Sequence, residues 1–239
     1  MLRADDLKIK IFADGADLEG IARLAKDPLI KGFTTNPTLM AKANGVMVYH
    51  EFAERVLDAV NGKPVSFEVF SDEFDDMERQ ARLISSWADN VYTKVPVTNT
   101  RGESSGELVR RLAADGVKLN VTALMTPAQA ADVGARLEGG APSIVSVFAG
   151  RVADTGRDPV PLMKEALDAL SSYPNVELLW ASPRELLNLV QADQVGCHII
   201  TVTHDVLAKL PTLGKDLDEF SLDTVKMFHD SAKSAAFTL

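Results

Sequence analysis

The sequence holds one cysteine, Cys197, in 239 residues, so no internal disulfide can form and the cytosol is the expected compartment. Basic residues are in deficit. Twenty-five Lys and Arg stand against 34 Asp and Glu, for a net charge of -9 and a pI near 5.0. Nucleic acid and anionic membrane both need a basic face, so neither is an expected partner. An anionic metabolite is not excluded, because it needs only a local pair of arginines. No apolar run reaches the ~18 residues of a membrane span, and residues 1–6 carry no apolar core, so no signal peptide is expected. The four histidines, His50, His198, His204 and His229, show no metal-ligand spacing with a nearby acid. Gly139-Gly140 and Gly150-Arg151-Val152 match no nucleotide loop, and Ser104-Ser105-Gly106 lacks the nucleophile-elbow pattern. Metal, dinucleotide and serine-hydrolase chemistry therefore find no support.

What is present is ordinary in composition, 46% hydrophobic and 25% charged, and regular in pattern. Strand-like segments fall at 8–14, 32–37, 65–70, 91–96, 117–122, 143–148, 176–181 and 197–202. Helical segments fall between them at 17–25, 48–60, 74–87, 104–114, 127–137, 161–170 and 183–191. Asp17 and Thr126-Pro127 read as helix starts, Asn61-Gly62 and Gly116 as stops. A terminal helix is predicted over 222–236, with Leu222, Val225, Phe228 and Ala232 on one stripe. Such alternation implies parallel strands with crossover helices. Eight units in a length close to the ~250 residues of a (β/α)₈ barrel predict that TIM-barrel fold, as one domain over residues 1–239. An open doubly wound sheet is the runner-up.

Strands of an all-parallel sheet are usually apolar on both faces, and these are not. Alternation groups Phe12 with Asp14, Ser66 with Glu68, Tyr92 with Lys94, Asn120 with Lys118 and Thr122, and Ser146 with Phe148. The opposite faces carry Ile9 and Ile11, Val65 and Phe67, Leu119 and Val121, and Val145 and Val147. The apolar faces suit packing under helices, so the polar ones should converge on the barrel axis. Most lie near the C-terminal strand ends, where barrel enzymes build active sites.

Lys94 lies within Val91-Tyr92-Thr93-Lys94-Val95-Pro96. Burial disfavours the charged form of an amine, and a neutral amine can form a Schiff base with a carbonyl. A lysine that snorkels to water, or a structural ion network among Asp14, Glu68 and Lys94, is the plainer alternative. Arg151 after the sixth strand and Ser182-Pro183-Arg184 after the seventh could clamp a phosphate; two solvated helix-start arginines would read the same way.

The chain resembles the transaldolase family, Schiff-base aldolases, and their short relatives. The resemblance spans the first strand to the eighth. It rests on Thr34-Thr35-Asn36-Pro37, Tyr92-Thr93-Lys94-Val95-Pro96, Leu119-Asn120-Val121-Thr122 and Ser146-Val147-Phe148-Ala149-Gly150-Arg151 taken together. It implies that Lys94 forms the Schiff base and that Asp14 is the acid/base at the donor's C4 hydroxyl. Glu68 and Thr122 would hold a catalytic water. Asn36, Asn120 and Ser146 would hold the dihydroxyacetone unit, and Arg151, Ser182 and Arg184 the phosphate. Glutamate at 68 and phenylalanine at 148 match transaldolases, whereas the related fructose-6-phosphate aldolases carry glutamine and tyrosine there. Val147 departs from the family's usual proline. The resemblance also implies sugar phosphates as partners, no cofactor, and a homo-oligomer, since short relatives form rings through the terminal helix. An aldolase that releases dihydroxyacetone, a transaldolase for a modified donor such as a sulfonated sugar, and a silent barrel that only binds remain the alternatives.

Overall fold

The computed structural model describes residues 3–35, 40 and 48–235. Eight parallel strands close in sequence order: β1 (Lys10–Asp14), β2 (Ile30–Thr34), β3 (Val65–Glu68), β4 (Val91–Pro96), β5 (Leu119–Leu124), β6 (Ser143–Val147), β7 (Val176–Trp180) and β8 (Ile199–Thr203). Between them run α1 (Leu18–Leu24), α2 (Tyr49–Val60), α3 (Phe74–Ser85), α4 (Gly106–Ala114), α5 (Pro127–Leu137), α6 (Ala149–Asp154), α7 (Pro159–Leu170) and α8 (Leu187–Val195). After β8 come the four-residue α9 (His204–Leu207) and the long α10 (Leu217–Ser234). The fold is a (β/α)₈ barrel with an additional C-terminal helix.

Two apolar layers follow from the alternation. Outward strand residues such as Ile11, Phe67, Val95, Val121 and Val145 join the helices in the main core. A second, smaller cluster fills the barrel itself: Phe12, Ile144, Leu179, Ala181 and Ile199, with Tyr92 and Phe148 against it. Gly32 of β2 makes room for this plug, since a Cβ there would lie 2.5 Å from the Phe12 ring. Below the plug Lys10 donates to both Glu177 oxygens, at 2.5 and 2.6 Å. Burial, reinforced by the Glu177 charge, raises the Tyr92 phenol pKa. The axis thus runs from an ion pair at the floor, through an apolar plug, to a polar mouth.

The caps read from sequence are there. Asp17 accepts the Gly20 N–H, and Thr126 forms a reciprocal box with Gln129 before Pro127. Asn61 ends α2 with φ of 50° and Gly116 has φ of 85°. Several segments differ from expectation. β2 starts at Ile30 and ends at Thr34; Asn36 and Pro37, its expected end, lie outside the described residues. α6 follows β6 at once, where no helix was predicted, and its N-cap residue Phe148 makes no side-chain capping bond. α8 begins at Leu187 rather than 183, because the Asn188 side chain takes the Arg184 and Glu185 N–H groups in a turn. α10 begins at Leu217, capped by Asp216, rather than at 222; Ala236 is beyond the described residues. Lys118 does not join the inner polar face. It precedes β5, and its Nζ donates to the Asp89 carbonyl at the N-terminal rim.

Candidate active site

The C-terminal strand ends surround a cavity of about 500 Å³. Every site residue predicted from sequence lines it except Asn36, which lies outside the described residues. Strand register brings them together. Glu68 is the β-partner of Lys94, Lys94 of Asn120, and Pro96 of Thr122, so side chains from β3, β4 and β5 share one layer. Asp14 is paired with Thr34 on one side and Thr203 on the other.

Lys94 is 7% exposed. Its Nζ donates to the Thr35 carbonyl at 2.9 Å and to Glu68 Oε2 at 3.2 Å. The amine is thus held at the cavity wall beside a carboxylate that can exchange a proton with it. Two bonds also fix its direction, which is what a positioned nucleophile requires.

Asp14 accepts from the Thr34 hydroxyl at 2.7 Å. Thr34 Oγ1 lies 2.5 Å from Thr201 Oγ1. Because Thr34 gives its one proton to Asp14, Thr201 must be the donor to Thr34. Two buried hydroxyls therefore hold the carboxylate from behind. The reading from sequence missed them as site residues. The signal was Thr34 within Thr34-Thr35-Asn36-Pro37 and the inward parity of Thr201 in β8.

A second relay crosses the cavity wall. Ser146 donates to Asn120 Oδ1 at 2.6 Å, and Asn120 Nδ2 donates to Ser66 Oγ at 3.0 Å. This chain fixes which way the Asn120 amide faces. Thr122 Oγ1 is buried, and among the described residues none hydrogen-bonds it. A buried hydroxyl in a polar cavity is a natural anchor for water or a substrate hydroxyl.

The rim is built from strained or close-packed backbone. Ala123 and Ser182 both line the cavity with positive φ, 67° and 60°. Such a conformation in a non-glycine residue costs of order 1–3 kcal/mol. Gly150 donates its N–H to the Ala181 carbonyl, and a Cβ on Gly150 would lie 1.5 Å from the Ser182 carbonyl oxygen. Only glycine permits that approach. Val147 is fully buried on the outward side of β6 and pairs with Trp180. Arg151 stacks its guanidinium 5.3 Å from the Phe148 ring centre, and Arg184 Nε donates to Asp154 at 3.0 Å.

Cys197, Tyr49 and His204 are not among the cavity's lining residues. Burial pushes the Cys197 thiol up to about 12, so it is no competing nucleophile at neutral pH. Burial also raises the Tyr49 phenol, whose oxygen accepts the Glu68 N–H. His204 packs against Gly15 and Gly20 and is held below its ordinary range, chiefly by burial.

A family model described as Transaldolase/Fructose-6-phosphate aldolase matches residues 11–239. A curated protein of Listeria monocytogenes named "Probable transaldolase 2" is 35% identical over 222 residues, covering 90% of this chain and 95% of that one. A "Probable transaldolase" of Nitrosopumilus maritimus is 33% identical over 227 residues, covering 92% and 96%. Among solved structures, a mandelate oxidase mutant superposes with a TM-score of 0.55 at 16% identity, covering 85% of this chain and 71% of that one. At that identity it speaks for the barrel fold alone.

Proposed function

The chain belongs to the transaldolase/fructose-6-phosphate aldolase family, and from that premise we propose that it is a transaldolase. It would carry a dihydroxyacetone unit from a ketose phosphate, fructose 6-phosphate or sedoheptulose 7-phosphate, to an aldose phosphate. The observation that carries the reading is the buried Lys94 amine, hydrogen-bonded to Glu68 in the cavity that also holds Asp14.

The Lys94 amine attacks the donor's C2 carbonyl. Loss of water through Glu68 and Thr122 leaves a protonated Schiff base. Asp14 takes the C4 hydroxyl proton, the C3–C4 bond breaks, and its electron pair moves into the iminium. An aldose leaves, and a three-carbon enamine stays on Lys94. The enamine carbon then attacks the acceptor's aldehyde, Asp14 returns the proton, and hydrolysis frees the new ketose. The mechanism calls on no metal or cofactor and predicts ping-pong kinetics. Asn120, Ser146 and Asn36 would hold the dihydroxyacetone hydroxyls, with Arg151, Ser182 and Arg184 on the phosphate. Phe148 closes one wall without offering a proton. We further propose one domain over residues 1–239, a cytoplasmic setting and a homo-oligomer assembled through α10.

Borohydride reduction in the presence of fructose 6-phosphate tests the central claim. Mass mapping should find the three-carbon adduct on Lys94, and Lys94→Met should abolish both adduct and turnover. An adduct on another lysine in Lys94→Met would overturn the assignment.

A further inference from the structure

Arg184 lines the cavity, yet part of its guanidinium is already engaged. Its Nε donates to Asp154 Oδ1 at 3.0 Å and its Nη2 to Asp154 Oδ2, a two-pronged fork from the last residue of α6. Both side chains are about half exposed, 48% and 52%. A solvent-exposed ion pair adds little to stability. Its physical consequence is geometric: a bidentate fork fixes the plane of a side chain that otherwise samples many rotamers. Five N–H donors are available on a guanidinium and Asp154 takes two, so three remain for a ligand.

A second, independent observation concerns the frame. The Gly150 to Ser182 approach and the Gly150 N–H bond to Ala181 lock α6 against the β7–α8 turn, backbone to backbone. Arg151 and Asp154 therefore ride on one short helix, and Arg184 on the turn clasped to it. The Arg184 bond, followed by the charges of Arg184 and Arg151, holds the Asp154 carboxyl below the usual carboxylate range. It stays ionised as the third charge beside the two arginines.

We propose that Asp154 is a positioning residue for the anion-binding end of the cavity. It orients Arg184 so that the guanidinium's unused donors meet the donor sugar's phosphate without first being ordered. This inference rests on the reading of Arg151 and Arg184 as the phosphate cradle. Loss of the orienting partner costs the binding event the ordering of one long side chain, roughly a tenfold loss of affinity at most. Removing the Asp154 charge acts in the opposite sense, but at half exposure that through-space effect is screened.

The probe is inorganic phosphate, titrated calorimetrically at fixed ionic strength into the unmodified protein, Asp154→Asn, Arg184→Ala and the double variant. Asp154→Asn should weaken phosphate binding about three- to tenfold with an unchanged Tm. Its KM for fructose 6-phosphate should rise by a similar factor, with kcat falling less. In the Arg184→Ala background Asp154→Asn should cause no further loss, because the two act as one unit. Equal or tighter phosphate binding by Asp154→Asn would show that the carboxylate merely competes with the anion, and overturns the proposal. A further loss in the Arg184→Ala background overturns it too, since the effect would not pass through Arg184. If the unmodified protein binds no phosphate and Arg184→Ala leaves the KM for fructose 6-phosphate unchanged, the cradle reading itself falls and takes this inference with it.

Discussion

At the scale of single residues, the proposed mechanism makes positions 68 and 148 decide whether the three-carbon unit is passed on or released. Glu68 sits 3.2 Å from the Lys94 amine and beside the Thr122 hydroxyl layer. A carboxylate there can take and return a proton through a water, whereas a glutamine can only orient that water. Phe148 lies against the inner plug under the Arg151 guanidinium and brings no hydroxyl to the cavity. On the proposed mechanism, an enamine held on Lys94 would receive no proton from Phe148 and would wait for an acceptor. The protein should therefore transfer dihydroxyacetone to erythrose 4-phosphate much faster than it cleaves fructose 6-phosphate alone. Glu68→Gln should lower transfer on the order of 10²-fold, the scale of a lost general acid–base. Phe148→Tyr should raise cleavage several-fold relative to transfer. Both rates are measured on one preparation, with and without acceptor. Cleavage that already equals transfer in the unmodified protein would sink the transferase assignment while leaving the Lys94 chemistry standing.

At the scale of elements, α5 shows how local signals hold the barrel. Thr126 and Gln129 satisfy each other's backbone at the helix start, with Pro127 preset for the first turn. Thr126→Ala should cost about 1 kcal/mol in denaturant titration and leave KM unaltered, because the cap contributes no side chain to the cavity; a change in KM would mean the cap shapes the site. Signals of this kind were legible in the sequence: period-two strands, Asp17, Asn61, the Thr126-Pro127 start. So was the inward polar face, because an acid, a base and amides at alternate strand positions leave only one side for the core. What escaped has a common physical cause, dependence on partners distant in sequence. α6 carries no cap of its own and is held by the Gly150 bond to Ala181. The Thr201 to Thr34 to Asp14 relay joins β8, β2 and β1 across 167 and 20 residues of chain. Lys118 shares the parity of Asn120 but precedes Leu119, the first residue of β5, and there the Asp89 carbonyl captures its amine. Periodicity fixes a side chain's face and not its height along the barrel.

At the scale of the whole molecule, α10 is the element with no place in the barrel's own core. It is 18 residues long, none of them buried, and it exposes Leu217, Phe220, Leu222, Val225, Met227 and Phe228. An isolated helix of that length is marginal in water, and most helices owe their stability to an apolar face packed elsewhere. Burying six such side chains is worth on the order of 10 kcal/mol in gross terms. Association of two subunits costs ~4–15 kcal/mol, so one helix laid on one neighbour roughly breaks even. A lasting assembly needs each subunit both to give a helix and to receive one, which is what closed symmetry supplies. The expected result is a homo-oligomer whose mass by light scattering falls to that of a monomer when the chain is cut before Leu217. Phe220→Asp with Phe228→Asp should dissociate the full-length protein in the same way, because two charges on the stripe would have to be buried unpaired. Among the described residues the cavity is lined by the barrel's strands, its loops and α6, with none from α10, so Schiff-base trapping on Lys94 should survive the truncation. An unchanged mass in both variants would place the subunit contacts elsewhere, and loss of trapping in the dissociated monomer would show that the site itself depends on assembly.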